Sequence, residues 1–356
     1  MCNNYSRFSF SPLHFLLLLS AKKKETLVIM MRRSSAAFSN FTPLTVNFMW
    51  IKTCNMKCKF CYSTYNDPAC SSLDPRGLPD ADARKVVEML SNYTVPRAVE
   101  DRDSPPTRMF NKITFAGGEP FLRTDLGPIL HFSKSQGLTT SVVSNGFRFR
   151  LAAGGVPDRR VQSILENIDQ LAISCDSGVA ETRRRIGRHL RNGDALQNEH
   201  YFKFASYIRH RTNISLKLNS VVCAYNHAED MHDFVKQFGP KRWKVFQALR
   251  VEGQNDTQFE EIRTSSEEFD AFAERHRELN PVVESNDTMT GSYLMVDPWG
   301  RFFDNSKGQH TYSEPILQVG VEEALKQVSF CMAKYVRRDG IYDISQDRLK
   351  VAGSSA

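Results

Sequence analysis

The sequence contains no apolar run that approaches the roughly 20 residues of a membrane-spanning helix. Its eight cysteines form no regular disulfide framework, and the scattered histidines add no ligand pair at the spacing of a zinc finger. The later part of the chain is poor in cysteine, because only Cys331 lies beyond Cys223. These absences argue against a disulfide-stabilised secreted domain, a zinc finger and a second cysteine-rich site near the C-terminus.

Charge is not concentrated in one tail either. Lysine and arginine are spread along the 356 residues, and the net charge of +7 is modest. Such a charge favours an anionic small-molecule ligand at least as well as nucleic acid, and we expect no nucleic-acid partner. A chain of this length can bury a sizeable core, and α/β barrels of this size are commonly one domain.

Three cysteines, however, lie close together on one short stretch. Cys54, Cys58 and Cys61 have C-x3-C-x2-C spacing and follow an apolar run, residues 46–51, that is typical of a strand. Three thiolates on one loop can hold three irons of a cubane cluster, whereas a purely electron-carrying site usually recruits a fourth cysteine. The fourth iron would then stay open, and an open position is typical of a metal that acts on a substrate. A zinc site completed by a histidine or carboxylate, or three unrelated thiols, are the alternatives.

From residue 46 onward, short β-rich runs alternate with helical stretches, which predicts βα units and a parallel sheet. The predicted strands are residues 46–51, 112–116, 139–144, 169–175, 214–222 and 243–248. The predicted helices are residues 80–93, 125–136, 158–167, 195–211, 227–238 and 265–279, and residues 95–109 are predicted to be a surface loop. We therefore predict the α/β class, as a partial (βα)6 barrel of the TIM type with a C-terminal extension, beginning near residue 281, that closes its open side.

In such a barrel the chemistry lies at the carboxyl ends of the strands. The second strand ends in Gly-Gly-Glu-Pro, whose glycines let the backbone approach a ligand closely. Polar residues follow the third and fourth strands, and an arginine suited to a carboxylate comes shortly afterwards. These candidate binding residues are Gly117, Gly118, Glu119, Ser144, Asn145, Ser174, Asp176 and Arg188. Ordinary turns, and for Arg188 a solvent-exposed arginine, are the alternatives.

Basic residues on the predicted strands indicate a polyanionic ligand. In the fifth strand, alternation places Lys217 and Asn219 on one face and Leu216 and Leu218 on the other. If the leucines meet the outer helices, the lysine points into the barrel, where a buried ammonium is costly unless an anion meets it. The same pattern recurs on the second and sixth strands, in Lys112, Arg242 and Lys244. The ligand is most simply a triphosphate, with salt bridges to carboxylates in the lumen as the alternative.

The cysteine spacing, with an aromatic residue directly before Cys61, and the Gly-Gly-Glu-Pro sequence one strand later together resemble the signature of radical S-adenosylmethionine (SAM) enzymes. In that superfamily SAM chelates the open iron, and one-electron reduction releases a 5′-deoxyadenosyl radical. The resemblance implies one [4Fe–4S] cluster on Cys54, Cys58 and Cys61. It also implies that SAM binds at the strand-end residues and at Asn219. The partners implied are an electron donor and the iron–sulfur assembly machinery.

Longer stretches resemble the viperin-like family within that superfamily, and the likeness covers most of the chain after residue 45. They are residues 111–115, 171–177, 217–221, 242–247, 284–286, 292–294 and 319–324. Members of this family convert CTP, or in some relatives UTP or GTP, to the 3′-deoxy-3′,4′-didehydronucleotide, and the CTP product terminates viral RNA synthesis. The resemblance implies an antiviral type of activity on a pyrimidine ribonucleoside triphosphate, CTP ahead of UTP.

The same resemblance assigns roles to individual residues. Tyr293 would supply a hydrogen atom or relay the reducing equivalent, with a core aromatic as the alternative. The basic residues that alternation places in the lumen, Lys112, Lys217, Arg242 and Lys244, would hold the phosphates. The family's phosphate-binding lysine in the C-terminal segment falls on His310, with Lys307 nearby, and both are candidate substrate residues. Candidates for the base end of the pocket are Glu284, Ser285 and Asn286.

We predict a leader at residues 1–42, the barrel at residues 43–250 and an extension at residues 251–356 that completes the substrate site. Short apolar stretches followed by basic residues make the leader either a membrane-surface anchor or a segment of no consequence. A cluster needs a reducing compartment, so the catalytic part should face the cytosol, at the endoplasmic reticulum or lipid droplets if the leader binds membrane and in the cytoplasm otherwise. The family's terminal tryptophan, which engages the cytosolic assembly machinery, has no counterpart in the last residues of this sequence, which puts that route of cluster delivery in doubt.

Two alternatives to this function stay open. One is a radical SAM enzyme that acts on a different anionic substrate. Radical SAM enzymes that modify peptides often bind auxiliary clusters through further cysteines near the C-terminus, and the scarcity of cysteines late in this sequence argues against that type. The other is a membrane-associated interaction protein whose iron–sulfur cluster is structural, against which the SAM motifs and the basic lumen argue.

Overall fold

Residues 43–95, 106–152, 154–342 and 344 are described in the computed structural model. The predicted leader lies outside these residues, as does most of the predicted loop at 95–109. In the described part of the chain, ten strands form one sheet with the order β10-β9-β8-β1-β2-β3-β4-β5-β6-β7. The strands are β1 (Leu44–Ile51), β2 (Phe110–Gly117), β3 (Thr139–Ser144), β4 (Gln170–Ser174), β5 (Ser215–Val222), β6 (Arg242–Gln247), β7 (Val282–Glu284), β8 (Leu294–Val296), β9 (Arg301–Asp304) and β10 (Thr311–Pro315).

The strands from β8 through β1–β6 to β7 run parallel, whereas β9 and β10 are antiparallel additions at one edge. No strand pairing between described residues joins β7 to β8 or β10, so the sheet is an open, partial barrel. This confirms the predicted fold class. The C-terminal extension adds one parallel strand to each edge of the six-stranded barrel, because β7 pairs with β6 and β8 pairs with β1.

Helices connect the parallel strands and cover the outer face. They are α1 (Asp80–Asn92), α2 (Leu126–Ser135), α3 (Arg159–Leu165), α4 (Ala180–Ile186), α5 (Asn198–Arg211), α6 (His232–Phe238), α7 (Asp256–Ile262), α8 (Ser266–Arg275), α9 (Asn286–Met289), α10 (Ile316–Lys326) and α11 (Met332–Arg337). None of the helices in the described residues is both long and apolar enough to cross a membrane.

Side-chain alternation in β1 shows how the sequence separates core from lumen. Leu44, Val46, Phe48 and Trp50 are at most 1% exposed and belong to the main hydrophobic core, which also contains the inward faces of the helices. The residues between them, Thr45, Asn47 and Met49, line a cavity inside the barrel. The strand therefore places successive residues alternately in the core and in the cavity wall, and two of the three wall residues are polar.

The predicted boundaries of the first six strands agree with the structure to within two residues at each end. The helices predicted at 80–93, 125–136 and 158–167 are likewise present. The helix predicted from residue 227 begins only at His232, because residues 224–228 form turns, and the Asn226 side chain accepts a hydrogen bond from the Cys223 amide. The helix predicted from residue 195 begins at Asn198.

Candidate functional site

A cavity of about 340 Å³ lies inside the barrel. Side chains from β1 to β6, from the cysteine-bearing loop after β1 and from the segment around α11 line it. Its wall includes every residue predicted for the site except Lys307, His310 and the three candidates for the base end. The strand-end residues meet at one end of the cavity and the basic residues lie nearer the amino ends of the strands. With a rise of about 3.3 Å per residue, Lys112 and Gly117 lie roughly 17 Å apart along β2.

The three cysteines are partly exposed to this cavity, and none forms a disulfide. The loop that carries them is held against the end of α4: the Lys57 amide donates to Gly187 O at 3.3 Å, and the Lys59 amide donates to Ile186 O at 2.9 Å. This approach requires a glycine, because a Cβ on Gly187 would lie 2.2 Å from Lys57 O.

Burial raises the pKa of each of the three thiols, to about 11 for Cys54, about 12 for Cys58 and about 11 for Cys61. Metal ligation requires the thiolate form, so binding of iron must release protons from this site.

The turn after β2 packs directly on the cysteine loop. The Gly118 amide donates to Ile51 O at 2.6 Å and the Glu119 amide donates to Thr53 O at 3.0 Å. A Cβ on Gly118 would lie 2.1 Å from Thr53 O, so only glycine permits this contact. The two predicted motifs therefore form one backbone unit.

Glu119 ties this unit to the end of β3. Its carboxylate accepts hydrogen bonds from the Ser144 hydroxyl at 2.9 Å, the Asn145 amide at 2.8 Å and the Phe121 amide at 3.1 Å. Burial nevertheless raises the pKa of Glu119 to about 7. The Asn145 side chain reaches back to the cysteine loop, where it donates to Asn55 Oδ1 at 2.8 Å.

A buried ion pair, Arg188 with Asp176, also lines the end of the cavity that contains the cysteines. The Arg188 Nε donates to Asp176 Oδ2, and Asp176 Oδ1 accepts the Val221 amide at 2.9 Å. Burial lowers the pKa of Arg188, but the Asp176 carboxylate outweighs it and raises that pKa well above its ordinary value. Arg188 is 6% exposed, which rules out the solvent-exposed alternative. Ser174 and Asn219 line the wall beside this pair.

The basic residues converge in the lumen as the alternation of β5 predicted. Leu216 and Leu218 pack in the core, whereas Lys217 faces the cavity. Burial and then the charges of Lys244, Lys112 and Arg242 lower the pKa of Lys217 well below its usual range. Among the described residues Lys217 forms no salt bridge, so a bound anion would be the counter-charge that favours its protonated form.

Two of the other basic residues have carboxylate partners, as the structural alternative for the lumen anticipated. Lys244 pairs with Glu284, which is fully buried, and burial lowers the pKa of Lys244 to about 8. Arg242 Nη1 lies 2.5 Å from Asp339 Oδ2. Lys112 donates to Gln170 Oε1 at 2.7 Å.

The structure does not bring Lys307 and His310 into the cavity. Lys307 is exposed on the connection between β9 and β10. His310 packs among aromatic rings, with centroids 4.9 Å from Phe303 and 6.3 Å from Tyr62. Burial lowers the pKa of His310 to about 4, so its imidazole is neutral at pH 7 and cannot replace a lysine charge.

None of the three candidates for the base end lines the cavity either. Glu284 lies behind Lys244 and Tyr293, and Ser285 caps α9 by accepting the Thr288 amide. Asn286 approaches the wall only through its amide, which donates to Gln247 Oε1 at 3.1 Å.

Tyr293 faces the cavity, and its hydroxyl donates to Glu284 Oε2 at 2.5 Å. Arg338 packs on the Tyr293 ring, with its Cζ 3.6 Å from the centroid, and is itself 5% exposed. Arg338 was not predicted from the sequence, because nothing in the sequence distinguishes it from its neighbour Arg337. In the structure the two side chains point in different directions: Arg338 is buried, whereas the Arg337 side chain is 56% exposed and pairs with Asp287.

Two buried polar atoms in the described part of the cavity wall lack hydrogen-bond partners. Among the described residues, Gln170 Nε2 and Asn219 Oδ1 make no hydrogen bond although both side chains line the wall. Buried polar atoms are normally satisfied, so these two indicate where a ligand completes the site. The donor set also fits a [4Fe–4S] cluster: three thiols face one space, and the Gly118 backbone and Asn219 can contact a ligand beside them.

The comparisons with known proteins agree with this site. The family model described as the radical SAM superfamily matches residues 49–203. A crystal structure of Streptococcus suis SuiB bound to precursor peptide SuiA superposes with a TM-score of 0.51 at 12% identity, over 85% of this chain and 66% of that one. The fold and the site thus define a radical SAM enzyme, whose cofactors are one [4Fe–4S] cluster and SAM.

Curated relatives narrow the class further. S-adenosylmethionine-dependent nucleotide dehydratases of Lacinutrix mariniflava and Flammeovirga pacifica are 36% and 34% identical over 84% and 85% of this chain. The nucleotide dehydratase RSAD2 of Danio rerio is 34% identical over 87% of this chain. The matches span 58%, 97% and 80% of these relatives, in the same order. The chain belongs to the S-adenosylmethionine-dependent nucleotide dehydratase family.

Proposed function

We propose that this chain dehydrates a pyrimidine ribonucleoside triphosphate to its 3′-deoxy-3′,4′-didehydro analogue. The observation that carries this proposal is one cavity in which three thiols face one end and five basic side chains face the other. The basic residues are Lys112, Lys217, Arg242, Lys244 and Arg338. Glu284 pairs with Lys244 and Arg338, and Asp339 pairs with Arg242. Lys217 forms no salt bridge with a described residue, so its positive charge would suit a triphosphate.

Each part of the wall would have a separate task. Cys54, Cys58 and Cys61 would hold the cluster, and the Gly118 backbone with Asn219 would contact SAM. When bound, the cluster and SAM supply a 5′-deoxyadenosyl radical that can take a hydrogen atom from C4′ of the nucleotide. Loss of the 3′ hydroxyl as water and uptake of one electron and one proton then give the 3′,4′ double bond.

The protein would act mainly by position and exclusion of water. Lys217 and its basic neighbours would fix the triphosphate and so place C4′ toward the cysteine end. Tyr293, which lines the cavity beside Arg338, would deliver the reducing equivalent. Family resemblance alone supports CTP over UTP, since no described residue of the cavity identifies a cytosine-specific contact.

The proposal extends to partners outside the chain. A one-electron donor must reduce the site, and the iron–sulfur assembly machinery must load it, in a reducing compartment that faces the cytosol. Attachment of residues 1–42 to the endoplasmic reticulum or to lipid droplets rests on the sequence of that leader, which lies outside the described residues.

The test is to reconstitute the cluster anaerobically and to measure 5′-deoxyadenosine with SAM, dithionite and CTP, UTP, GTP or ATP in turn. We expect CTP or UTP to stimulate 5′-deoxyadenosine formation and to yield a nucleotide lighter by one water. Cys58→Ser, which removes one cluster ligand, should form none. SAM cleavage that no nucleotide stimulates would refute the substrate while leaving the radical SAM chemistry in place.

A further inference from the structure

Glu284 is a charged residue of the site that never reaches the cavity surface. It ends β7 and is 0% exposed, and the groups it contacts are wall residues. Its Oε2 accepts the Tyr293 hydroxyl at 2.5 Å, its Oε1 pairs with Lys244, and Arg338 Nη1 lies 3.8 Å from Oε1. Glu284 can therefore affect a bound nucleotide only through these three side chains.

The geometry around Tyr293 matters for electron transfer. A phenol that gives up an electron becomes a far stronger acid than a carboxylic acid, so it needs a proton acceptor within hydrogen-bonding distance. Burial raises the pKa of Tyr293 well above its ordinary value, so no phenolate is available beforehand. Among the described residues, the hydroxyl makes its hydrogen bond to Glu284.

Glu284 is suited to take this proton and to return it. Burial raises its pKa, but Lys244 and Arg338 outweigh burial and hold the pKa of Glu284 below its ordinary value. The carboxylate is therefore ionised before the reaction and can accept a proton from the oxidised phenol. Because it is a weak base, it gives the proton back once the tyrosine is reduced.

We propose that Glu284 is a positioning residue that accepts the phenolic proton of Tyr293 when Tyr293 gives one electron to the nucleotide. The inference rests on the proposed function. The nucleotide radical first loses its 3′ hydroxyl as water, with one proton from solvent, which leaves a radical cation. One electron from Tyr293 converts this cation to the product. The phenolic O–H bond breaks and an O–H bond forms on Glu284 Oε2, which leaves a neutral tyrosyl radical.

The cycle then closes without a further reactant. The one-electron donor protein of the proposed function reduces the tyrosyl radical, and Glu284 returns its proton to the phenolate. Atoms and electrons balance, because Tyr293 and Glu284 end as they began. The net supply to the nucleotide is one electron and one proton.

The first test compares Glu284→Gln with Glu278→Gln, which removes a charge from a surface side chain that is 68% exposed. A nucleotide carrying deuterium at C4′ separates hydrogen abstraction from reduction. For Glu284→Gln we expect deuterium to appear in 5′-deoxyadenosine while dehydrated product per 5′-deoxyadenosine falls at least tenfold. Glu278→Gln should match the unmodified protein. An unchanged ratio in Glu284→Gln would overturn the proposal, and so would an equal fall of both products, which indicates a structural role.

The second test needs no cofactor. We would place 3-fluorotyrosine at position 293 of the cofactor-free protein and follow its ¹⁹F resonance against pH. Loss of the Glu284 charge should lower the pKa of this phenol, which corresponds to an acid dissociation constant at least tenfold larger. Arg338 and Tyr62 also affect the pKa of this phenol, while Lys244 and Lys217 interact with Glu284. A phenol pKa that Glu284→Gln leaves unchanged would refute the contact.

Glu284→Asp covers the case in which Glu284→Gln does not fold. It keeps the charge beside Lys244 but shortens the side chain, so the contact to the Tyr293 hydroxyl is lost. We expect the same loss of product per 5′-deoxyadenosine, and a normal ratio in Glu284→Asp would overturn the proposal. If the unmodified protein forms no 5′-deoxyadenosine with any nucleotide, the proposed function has failed and takes this inference with it. The ¹⁹F titration then still shows whether the contact exists.

Discussion

Lys217 illustrates how a single residue can be costly for the empty protein and useful for the liganded one. Its ammonium faces a buried lumen beside Lys112, Arg242 and Lys244, and its pKa is lowered because the charged form is disfavoured there. Without a ligand this charge is unfavourable. A bound triphosphate would supply the missing counter-charge, so Lys217 should contribute more to nucleotide affinity than to stability.

We therefore predict opposite effects of Lys217→Met on affinity and stability. Loss of a charge-assisted contact of about 1.5–3 kcal/mol should weaken nucleotide binding roughly 10- to 100-fold. The melting temperature of the ligand-free protein should rise, because an unfavourable buried charge is gone. Calorimetry of CTP binding and thermal unfolding would measure both. Lys307→Met is the matched control, because Lys307 is exposed and lies outside the cavity. If Lys217→Met bound CTP tightly and Lys307→Met bound it weakly, the result would contradict this account.

Lys244 gives a prediction about pH. Its pKa of about 8 lies below the ordinary value of 10.5, so the ligand-free protein loses this charge as pH rises through 8. A bound triphosphate favours the charged form and raises the pKa, so nucleotide binding above pH 8 takes up a proton. We expect affinity to fall as pH rises from about 7 to about 10, a range in which the charge of the triphosphate is nearly constant. Titrations in two buffers of different ionisation enthalpy would measure the proton uptake.

Lys244→Arg provides the comparison for that experiment. A guanidinium stays protonated throughout the range, so the fall in affinity should be smaller in this variant. Burial also lowers the pKa of Lys217, and this group would account for the remaining slope. An identical slope in Lys244→Arg and the unmodified protein would show that Lys244 does not bind the phosphates.

At the scale of elements, the cysteine loop depends on the left-handed end of α4. Gly187 has a φ of 86° and lies against the loop backbone. Gly193 has the same φ of 86° but faces open space, because a Cβ at this position would have no neighbouring atom within 4 Å. Substitutions at these two glycines therefore distinguish the effect of backbone strain from the effect of contact with the cysteine loop.

We predict that Gly187→Ala displaces the loop and Gly193→Ala does not. Backbone strain alone should lower the free energy of unfolding by about 1–2 kcal/mol in both variants. Only Gly187→Ala should also lose iron, because its Cβ would collide with Lys57 O. Iron content and visible absorbance after anaerobic reconstitution, with denaturant unfolding of the cofactor-free protein, would test this. Equal iron loading in the two variants would argue against a role for this packing in cluster binding.

Strands and helices were predicted correctly where the pattern of apolar and polar residues extended over enough residues to show its period. Strands β1–β6 each alternate or run apolar over five to eight residues, and their ends were predicted closely. Strands β7 and β8 were missed because each has three residues, too few to show a period. Helix α4 was missed because Arg183, Arg184 and Arg185 dominate it, although Arg183 is buried and donates to Ser177 O.

The site divides in the same way. Residues beside strand ends could be located from sequence, because the ends of parallel strands meet at one edge of the sheet. Residues that reach the cavity from the C-terminal segment could not, since the path of that segment follows no period. This is why Arg338 was overlooked, while Lys307 and His310, which the family resemblance suggested for the substrate site, do not line the cavity.

At the scale of the whole molecule, one open barrel joins two chemical environments. The turns after β1–β4 gather the cysteines and the polar residues of the strand ends, while the lumen beneath them carries the basic side chains. The C-terminal segment completes the wall through Tyr293, Tyr335 and Arg338. A small reactant held by the charged end can thus meet a radical formed at the cysteine end without leaving the cavity.

The most direct measurement is the fate of deuterium placed at C4′ of CTP and of UTP, in anaerobic reactions of the reconstituted protein with SAM and reductant. The account predicts that one deuterium moves into 5′-deoxyadenosine and that the nucleotide product is lighter by one water and lacks the label. Nucleotide deuterated at C3′ should keep its label in the product. Label-free 5′-deoxyadenosine formed from the C4′-deuterated nucleotides would contradict abstraction at C4′, and with it the central claim.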